Sequence, residues 1–361
     1  MHLSISLRIL GLLLTLFSLT MLPPLLTGII ADDDTVTGFT YALGITSLSG
    51  LVLWLPVRRI RRDLRIRDGF LVTALFWIVL GLFGSLPFAL TESLNVDVAD
   101  AIFESMSGLT TTGATVLTGL DDMPASILLY RQLLQWLGGI GIIVVAVAVL
   151  PMLGVGGMQL YRAETPGPTK DSKLTPRITE TAKALFIVYL AMTVCCAAAY
   201  AAAGMSAFDA VCHAFSTVAI GGFSTHDASM GYFESNAIYL ISTLFMLVAA
   251  LNIGLHYTAF YRRSLAGYAE DSEARFFAGA MAVCVGITCI YLLVSETLGV
   301  SDSIVHGLFQ AVSITTTTGF ATQDFSLWPG FLPIMLLMFS FMGGCAGSTG
   351  GGIKAMRLML I

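Results

Sequence analysis

Three short segments rich in threonine and glycine are the residues of this sequence whose spacing points to a chemical role. They read SGLTTTGA (107–114), STVAIGGF (216–223) and SITTTTGF (313–320), and they align without a gap. Glycine permits backbone conformations in which neighbouring carbonyl groups face one side, and threonine adds a hydroxyl oxygen. Rings of such oxygens can replace the hydration shell of a monovalent cation. One copy alone would be most simply a surface turn, but three copies at one topological position predict a shared cation-binding cavity.

A short amphipathic run precedes each segment and is too short to cross a membrane. We interpret each run as a half-helix that enters from the outer face and aims the negative end of its dipole at the cavity. Asp97, Ser206 and Ser301 are the candidate N-caps. The predicted runs are 97–109, 206–218 and 301–315.

The elements that must position these segments are membrane-spanning helices. Hydrophobic residues make up 56% of the 361 residues, charged residues 11%, and the mean hydropathy is +0.84, which excludes a soluble globule. The first apolar stretch resembles a signal peptide but lacks a small-residue cleavage site, so we interpret it as a retained span. The predicted spans are 8–30, 37–57, 70–91, 127–150, 184–204, 236–260, 276–298 and 328–361.

The cations mark the predicted orientation of these spans, because lysine and arginine accumulate on cytoplasmic loops. Three alternate loops are basic, whereas the opposite face carries aspartates. Both ends of this chain are therefore predicted to be cytoplasmic. The basic residues are Arg58, Arg59, Arg61, Arg62, Arg65 and Arg67, then Arg162, Lys170, Lys173, Arg177 and Lys183, then Arg262, Arg263 and Arg275.

Span, half-helix, extended turn and span together form a unit that recurs along the chain. The predicted fold is an all-α polytopic membrane protein, with these units around a central pore and two extra transmembrane helices before the first unit. The predicted divisions are 1–68 (two N-terminal helices), 69–152 (repeat one), 153–183 (cytoplasmic loop), 184–275 (repeat two with its cytoplasmic loop) and 276–361 (repeat three).

Five motifs resemble the Trk/Ktr/HKT family of potassium transporters, and the resemblance covers essentially the whole chain. Two spans before the first repeat make the chain more similar to the Trk branch than to the shorter Ktr subunit. The motifs are GLTTTGAT (108–115), RQLLQWLGGIG (131–141), IGGFSTHD (220–227), TTTTGF (315–320) and GGCAGSTGGGIK (343–354).

The resemblance implies a cell inner membrane protein with four repeats around one pore, usually a homodimer, whose transported ion is K⁺. It also implies a cytoplasmic nucleotide-binding regulatory partner of the TrkA type, and no organic cofactor or nucleic acid. The sequence stops at Ile361, inside the second span of the third repeat, so the fourth repeat is absent, and we interpret the chain as a fragment or a truncated gene product. Carried over position by position, the K⁺ filter comprises Thr110, Thr111, Thr112, Gly113, Ala219, Ile220, Gly221, Gly222, Thr316, Thr317, Thr318 and Gly319.

The last predicted span contains a run of small residues that helix propensity opposes. Close packing against a neighbouring helix is one interpretation. A flexible gating loop is the other, and the family resemblance favours it. Lys354 and Arg357, which follow the run, are either an electrostatic barrier or anchors at the inner interface. The predicted gate residues are Gly343, Gly344, Gly347, Ser348, Thr349, Gly350, Gly351, Gly352, Lys354 and Arg357.

Other polar residues near the spans carry weaker expectations. Arg131 is predicted to be an interfacial anchor, and Glu104 fits either a role in proton coupling or a structural hydrogen bond behind the filter. His213, His256 and His306 fit polar packing better than proton coupling. The acidic residues predicted to attract cations to the outer mouth are Asp121, Asp122, Asp227 and Asp324.

Three classes of function remain to be compared. A K⁺ uptake pathway gated by the glycine-rich loop is the leading hypothesis. An alternating-access symporter of K⁺ with H⁺ or Na⁺ is the alternative, although repeats that all begin on the same side favour a pore. A membrane enzyme is not expected, because the sequence shows no HExxH motif and no serine with a plausible histidine partner.

Overall fold

The computed structural model describes residues 3–60, 66–153 and 178–361, and these residues are helical without a β-strand. The longer helices are α1 Leu3–Ser18, α2 Leu22–Ala31, α3 Val36–Trp54, α4 Ile66–Gly84, α5 Leu86–Leu90, α6 Val98–Leu109, α7 Ala125–Leu153, α8 Ile178–Ala202, α9 Ala207–Ala219, α10 Asn236–Ala249, α11 Ile253–Arg262, α12 Ala266–Glu270, α13 Ser272–Val294, α14 Val300–Thr315, α15 Leu332–Ser340 and α16 Ala355–Leu358.

The described residues form two compact units. One lies within Met1–Thr110 and Ala114–Phe186, and the other consists of Thr111–Gly113 and Ile187–Ile361. The three residues 111–113 therefore cluster with the second unit, although the helix that precedes them belongs to the first. This division places the turns of all three repeats in one compact body.

The first unit is held by close helix contacts at glycine. Helices α1 and α3 cross where a Cβ on Gly50 would lie 2.9 Å from the carbonyl oxygen of Gly11, too close for any side chain. Helix α7 approaches the end of α6 in the same way, because a Cβ on Gly138 would lie 1.9 Å from the oxygen of Leu109. Gly138, Gly139 and Gly141 in this stretch are compatible by sequence with a bend or with a close helix contact. A close contact is present, within one continuous helix.

The second unit contains a sharply broken span. Helices α10 and α11 meet at 93° across residues 250–252. Asn252 begins α11, and its side-chain oxygen accepts the amide N–H of Gly254 at 2.8 Å. The uninterrupted helix predicted for 236–260 is therefore wrong, and the backbone groups freed by the break have partners described below.

Most other predicted spans correspond to helices. Within the described residues, five helices are long and apolar enough to cross a membrane, and the broken pair makes a sixth candidate. The predicted span at 328–361 is helical over Leu332–Ser340, followed by the expected break and then the short helix Ala355–Leu358. Most of the predicted cytoplasmic loop, 154–177, and the cations Arg61, Arg62 and Arg65 lie outside the described residues.

Candidate functional site

The three predicted half-helices are present and end at the predicted turns. They are α6, α9 and α14. Ser206 caps α9 as expected, because its hydroxyl accepts the N–H of Asp209 at 3.0 Å. Asp97 stands at the N-cap position of α6 without a side-chain cap bond. The cap predicted at Ser301 is wrong, since α14 already begins at Val300.

The turn after each half-helix has the same backbone pattern in all three repeats. Two positions in each turn, separated by one residue, have a positive φ. These φ values are 54° and 77° at Thr111 and Gly113, 54° and 81° at Ile220 and Gly222, and 68° and 87° at Thr317 and Gly319. Glycine adopts this conformation freely, but a β-branched residue does so only with strain. Strain of this kind persists at functional sites, where the surroundings enforce it.

The turns of the three repeats meet in the second unit. A Cβ on Gly113 would lie 2.0 Å from the carbonyl oxygen of Gly221, and one on Gly222 would lie 1.9 Å from that of Thr318. Each of these glycines therefore packs its Cα directly against a carbonyl of the next turn. The structure brings 111–113, 219–222 and 316–319 together, as the sequence analysis required.

A serine in each of two half-helices holds the residue that follows the turn. Ser107 donates its hydroxyl to the carbonyl oxygen of Ala114 at 2.5 Å, and Ser313 donates to that of Phe320 at 2.7 Å. Both serines stand six residues before the glycine that ends the turn. The half-helix and the chain leaving the turn are thereby joined at equivalent points in repeats one and three.

Arg131, predicted to be an interfacial anchor, instead forms a buried ion pair with Glu104 of half-helix α6. Arg131 is fully buried, and its Nε donates to Glu104 Oε1 at 2.7 Å. Its Nη2 also donates to the hydroxyl of Thr115 at 3.0 Å. Arg131 is therefore no interfacial anchor, because a cation inside the bundle needs a carboxylate partner. The sequence signal that could have revealed this pair is the presence of two opposite charges in the apolar helices of one repeat. Glu104 is hydrogen-bonded within the protein, as one of its two interpretations expects.

The glycine-rich run folds back on itself. The N–H of Ile353 donates to the oxygen of Phe341 at 2.9 Å, and that of Lys354 donates to Met342 at 3.1 Å. Gly343, Gly347 and Gly352 have positive φ. The predicted break in the last span is confirmed. We refer to residues 341–354 below as the glycine loop.

The glycine loop occupies the break between α10 and α11. Cys345 donates its N–H to the oxygen of Ala250 at 2.8 Å, and Ile253 donates to Gly347 at 3.1 Å. Backbone groups at membrane depth need such partners in place of water. The broken helix and the loop thus supply hydrogen-bond partners for each other's backbone groups, which explains why the span at 236–260 is not continuous.

The same loop contacts the third turn and the end of half-helix α9, which leads into the second turn. The N–H of Gly351 donates to the hydroxyl of Thr317 at 2.9 Å. Thr349 donates its hydroxyl to the carbonyl oxygen of Val218, at the end of α9, at 2.9 Å. The predicted gate and the predicted filter are therefore direct neighbours.

One carboxylate that the sequence analysis missed fastens the glycine loop. Glu273 is 4% exposed, and its Oε1 accepts the N–H groups of Ala346 at 2.7 Å and Met356 at 2.9 Å. Lys354 turns inward, donating from Nζ to the oxygen of Gly350, whereas Arg357 is exposed. The signal for Glu273 was a lone acidic residue in the first turn of an apolar span.

The remaining polar residues take structural positions. His256 contacts Tyr268 Oη at 2.6 Å and the oxygen of Val248 at 2.9 Å, consistent with polar packing. His306 contacts the hydroxyl of Thr322 at 2.9 Å. The predicted mouth aspartates Asp122, Asp227 and Asp324 are exposed.

Comparisons with known proteins agree with this architecture. A model of the TrkH family, described as cation transport protein, matches residues 37–361. A Trk system potassium uptake protein TrkH from Halomonas elongata is 57% identical over all of this chain and 75% of that protein, and one from Vibrio parahaemolyticus is 54% identical over 98% and 74%. The crystal structure of the potassium transporter TrkH from Vibrio parahaemolyticus superposes with a TM-score of 0.89 and 49% identity, covering all of this chain and 74% of that one. These matches confirm the resemblance and the all-helical polytopic fold, and the chain belongs to the TrkH family of multi-pass inner membrane cation transport proteins.

Proposed function

We propose that this chain takes up K⁺ across the inner membrane through a filter of backbone carbonyls. The filter consists of Thr110–Gly113, Ala219–Gly222 and Thr316–Gly319. The observation that carries the proposal is the repeated pair of positive φ values, combined with the direct packing of one turn's glycine on the next turn's carbonyl. The relatives named as potassium uptake proteins support K⁺ as the transported ion.

The electrostatics of the half-helices support a cation as the occupant. Each half-helix ends at a turn, so the partial negative charge of its C-terminus is directed there. Strained backbone makes the carbonyl positions insensitive to the ion, because the surrounding contacts enforce the conformation. Among the described residues, no feature favours the alternating-access alternative.

The glycine loop is proposed as the gate of this pathway. Its contacts with Thr317 and Val218 bring it against one filter turn and the end of a second half-helix. The bond that Gly351 donates to the Thr317 hydroxyl and the bond that the Thr349 hydroxyl donates to Val218 are individually modest, about 1 kcal/mol each. The bonds that join the loop to the filter can therefore break at a modest cost. In this proposal Lys354 belongs to the loop, where its ammonium opposes a cation near Gly350.

The assembly and orientation are proposed from the family resemblance. The protein is proposed to be a homodimer, with both ends of this chain in the cytoplasm and a TrkA-type nucleotide-binding subunit as regulator. The cations that support this orientation include Arg58, Arg59, Arg262 and Arg263.

The test is ion flux in proteoliposomes. The chain is fused to the C-terminal part of the Halomonas elongata relative, to supply the expected fourth repeat, and compared with the chain alone. We expect the fusion to pass K⁺ well in preference to Na⁺. Equal passage of the two ions by the folded fusion would contradict the proposal.

A matched pair of glycine variants separates the filter from general backbone strain. Gly222→Ala is expected to abolish the preference for K⁺. Gly204 also has a positive φ, of 104°, but a Cβ there would meet nothing within 4 Å. Gly204→Ala is therefore expected to keep the preference, and loss in both variants would argue that strain alone matters.

A further inference from the structure

We propose that the residue nine positions before each filter glycine is a positioning residue that holds the chain leaving the filter and thereby sets ion selectivity. These residues are Glu104, His213 and Gln310. The inference rests on the proposed function, because it assumes that the turns are the filter. It adds a shared role for three side chains of different chemistry.

The three residues occupy one register and one environment. Glu104, His213 and Gln310 lie in α6, α9 and α14, and each is fully buried at 0% exposure. A fully buried polar side chain is costly unless it is hydrogen-bonded. Each of the three bonds to one or two residues that lie two to four positions after its own filter glycine.

In repeats one and two, the positioning residue binds a hydroxyl two residues after the filter glycine. Thr115 Oγ1 lies 2.9 Å from both carboxylate oxygens of Glu104, and Ser224 Oγ lies 3.0 Å from His213 Nε2. Each hydroxyl also accepts the N–H two residues further on, at 3.1 Å in both repeats. The same small turn is therefore fastened to the half-helix in both repeats.

The tautomer of His213 follows from its partners. Its Nδ1 lies 2.9 Å from the backbone oxygen of Asp209, which only accepts, so Nδ1 carries the proton. In the neutral ring Nε2 then accepts from the hydroxyl of Ser224. Neutral histidine thus plays the acceptor role that the Glu104 carboxylate plays in repeat one.

Repeat three lacks the hydroxyl, since the equivalent residue is Ala321. There Gln310 binds the backbone directly. Its Oε1 accepts the N–H of Thr322 at 3.2 Å, and its Nε2 donates to the oxygen of Gln323 at 3.2 Å. A side-chain amide supplies both a donor and an acceptor, which is what a backbone without a helping hydroxyl requires.

In each repeat the half-helix side chain therefore suits the residue two positions after the filter glycine. The carboxylate of Glu104 faces a threonine, the imidazole of His213 faces a serine, and the amide of Gln310 occurs where that residue is an alanine. Charge is not the shared property, because His213 as a neutral ring and Gln310 do the same work as Glu104. Arg131 is needed in repeat one only because that repeat uses a carboxylate. The shared property is that a half-helix side chain holds, by hydrogen bonds, the residues that follow the filter. We call this arrangement the fastened exit.

A double-mutant cycle in repeat three tests this matching. Gln310→His gives repeat three the imidazole of repeat two without its serine, and Ala321→Ser adds the missing hydroxyl. The readout is the ratio of K⁺ to Na⁺ flux of the fusion protein in proteoliposomes, with size-exclusion elution as a check on folding. Val211→Ala, an exposed position on α9, is the control.

We expect Gln310→His to lower the selectivity ratio about fivefold, as the loss of an ordinary hydrogen bond would, and the double variant to recover most of it. Val211→Ala keeps the wild-type ratio. Unchanged selectivity in Gln310→His, in a fusion that itself prefers K⁺, overturns this inference alone. A non-selective wild-type fusion overturns the proposed function as well.

A second pair of variants keeps the test decisive if Gln310→His does not fold. Glu104→Gln with Arg131→Gln removes both charges but keeps groups that can bond Thr115, whereas Glu104→Leu with Arg131→Leu removes the bonds too. The leucine pair is expected to lose clearly more selectivity than the glutamine pair. Equal loss in the two pairs would show that charge, and not the fastened exit, is what matters.

Discussion

The proposed filter turns and the glycine loop use glycine in different ways. In the filter, Gly113 and Gly222 let one turn press its backbone onto the carbonyl of the next, and polar side chains from the half-helix hold the chain that follows. In the loop, glycines let a single segment double back on itself and fit a broken helix. Both regions contain strained and tightly packed backbone, since a Cβ on Gly343 of the loop would lie 2.0 Å from the oxygen of Gly351, but the loop meets the proposed filter through hydrogen bonds.

The difference between these two regions shows how the proposed filter can be rigid while its contacts with the proposed gate are weak. Removing a filter glycine creates an atomic overlap that nothing nearby can relieve, because the neighbouring atom is backbone. Removing a contact between the glycine loop and the proposed filter costs an ordinary hydrogen bond, about 1 kcal/mol. Changes in the filter should therefore act on selectivity, and changes in the loop on the amount of flux.

The largest effect is expected for Gly222→Ala. The added Cβ would lie 1.9 Å from the oxygen of Thr318, at a φ of 81° that alanine adopts only with strain. We expect a loss of K⁺ over Na⁺ selectivity of tenfold or more, since the combined strain exceeds about 1.4 kcal/mol. Flux ratios in proteoliposomes measure it.

Gly319→Ala sharpens this comparison within the filter. Gly319 has a similar φ of 87°, but a Cβ there meets nothing within 4 Å in this chain. Its effect on selectivity should be smaller than that of Gly222→Ala. If the two variants behave alike, backbone overlap does not explain the role of Gly222.

The next largest effect concerns stability and involves the buried pair behind the first turn. Arg131→Met leaves the Glu104 carboxylate buried without its cation, which costs about 3–5 kcal/mol in comparable buried pairs. We expect a marked loss of thermal stability of the detergent-solubilised protein. Adding Glu104→Gln should restore much of it, because the uncompensated charge is removed. If Arg131→Met alone is as stable as the wild type, the ion pair of Arg131 and Glu104 is dispensable for stability.

How far the sequence predicts this architecture depends on whether a feature repeats. The half-helices and the turns were predictable because three aligned copies reinforce a signal that is ambiguous in any one of them. The glycine loop was predictable because small residues oppose helix over ten consecutive positions. These features depend on local composition and on period.

Features that depend on long-range partners were not predictable in the same way. The break at 250–252 has no proline or glycine of its own, and it is stabilised by backbone groups of the loop almost a hundred residues later. Arg131 was misplaced because its partner Glu104 lies 27 residues away on another helix. Glu273 was missed because its acceptor role is set by amides at 346 and 356.

A smaller effect, on flux alone, is expected for Glu273→Ala. This change removes the carboxylate that accepts two N–H groups of the loop region, and bonds to a charged acceptor contribute about 1.5–3 kcal/mol each. We expect the loop to leave the filter more often, so that K⁺ flux rises about tenfold with little change in selectivity. Glu273→Gln keeps an acceptor and should be intermediate. A fall in selectivity with constant flux would break the distinction between the two regions.

The smallest effect is expected outside both regions, at the exposed Asp324. Its carboxylate accepts from the hydroxyl of Ser326 at 2.6 Å and from the N–H of Ser326 at 3.0 Å, and these bonds lower the pKa of Asp324. The group therefore stays charged as the pH falls from neutral to about 5, since even an ordinary aspartate has a pKa of about 3.9. Asp324→Asn should reduce K⁺ flux at low salt by less than about twofold, equally at both pH values, because the high dielectric constant of water weakens the field of an exposed charge. An effect of the substitution that disappears at the lower pH would mean that the carboxylate is protonated there, contrary to its hydrogen bonding.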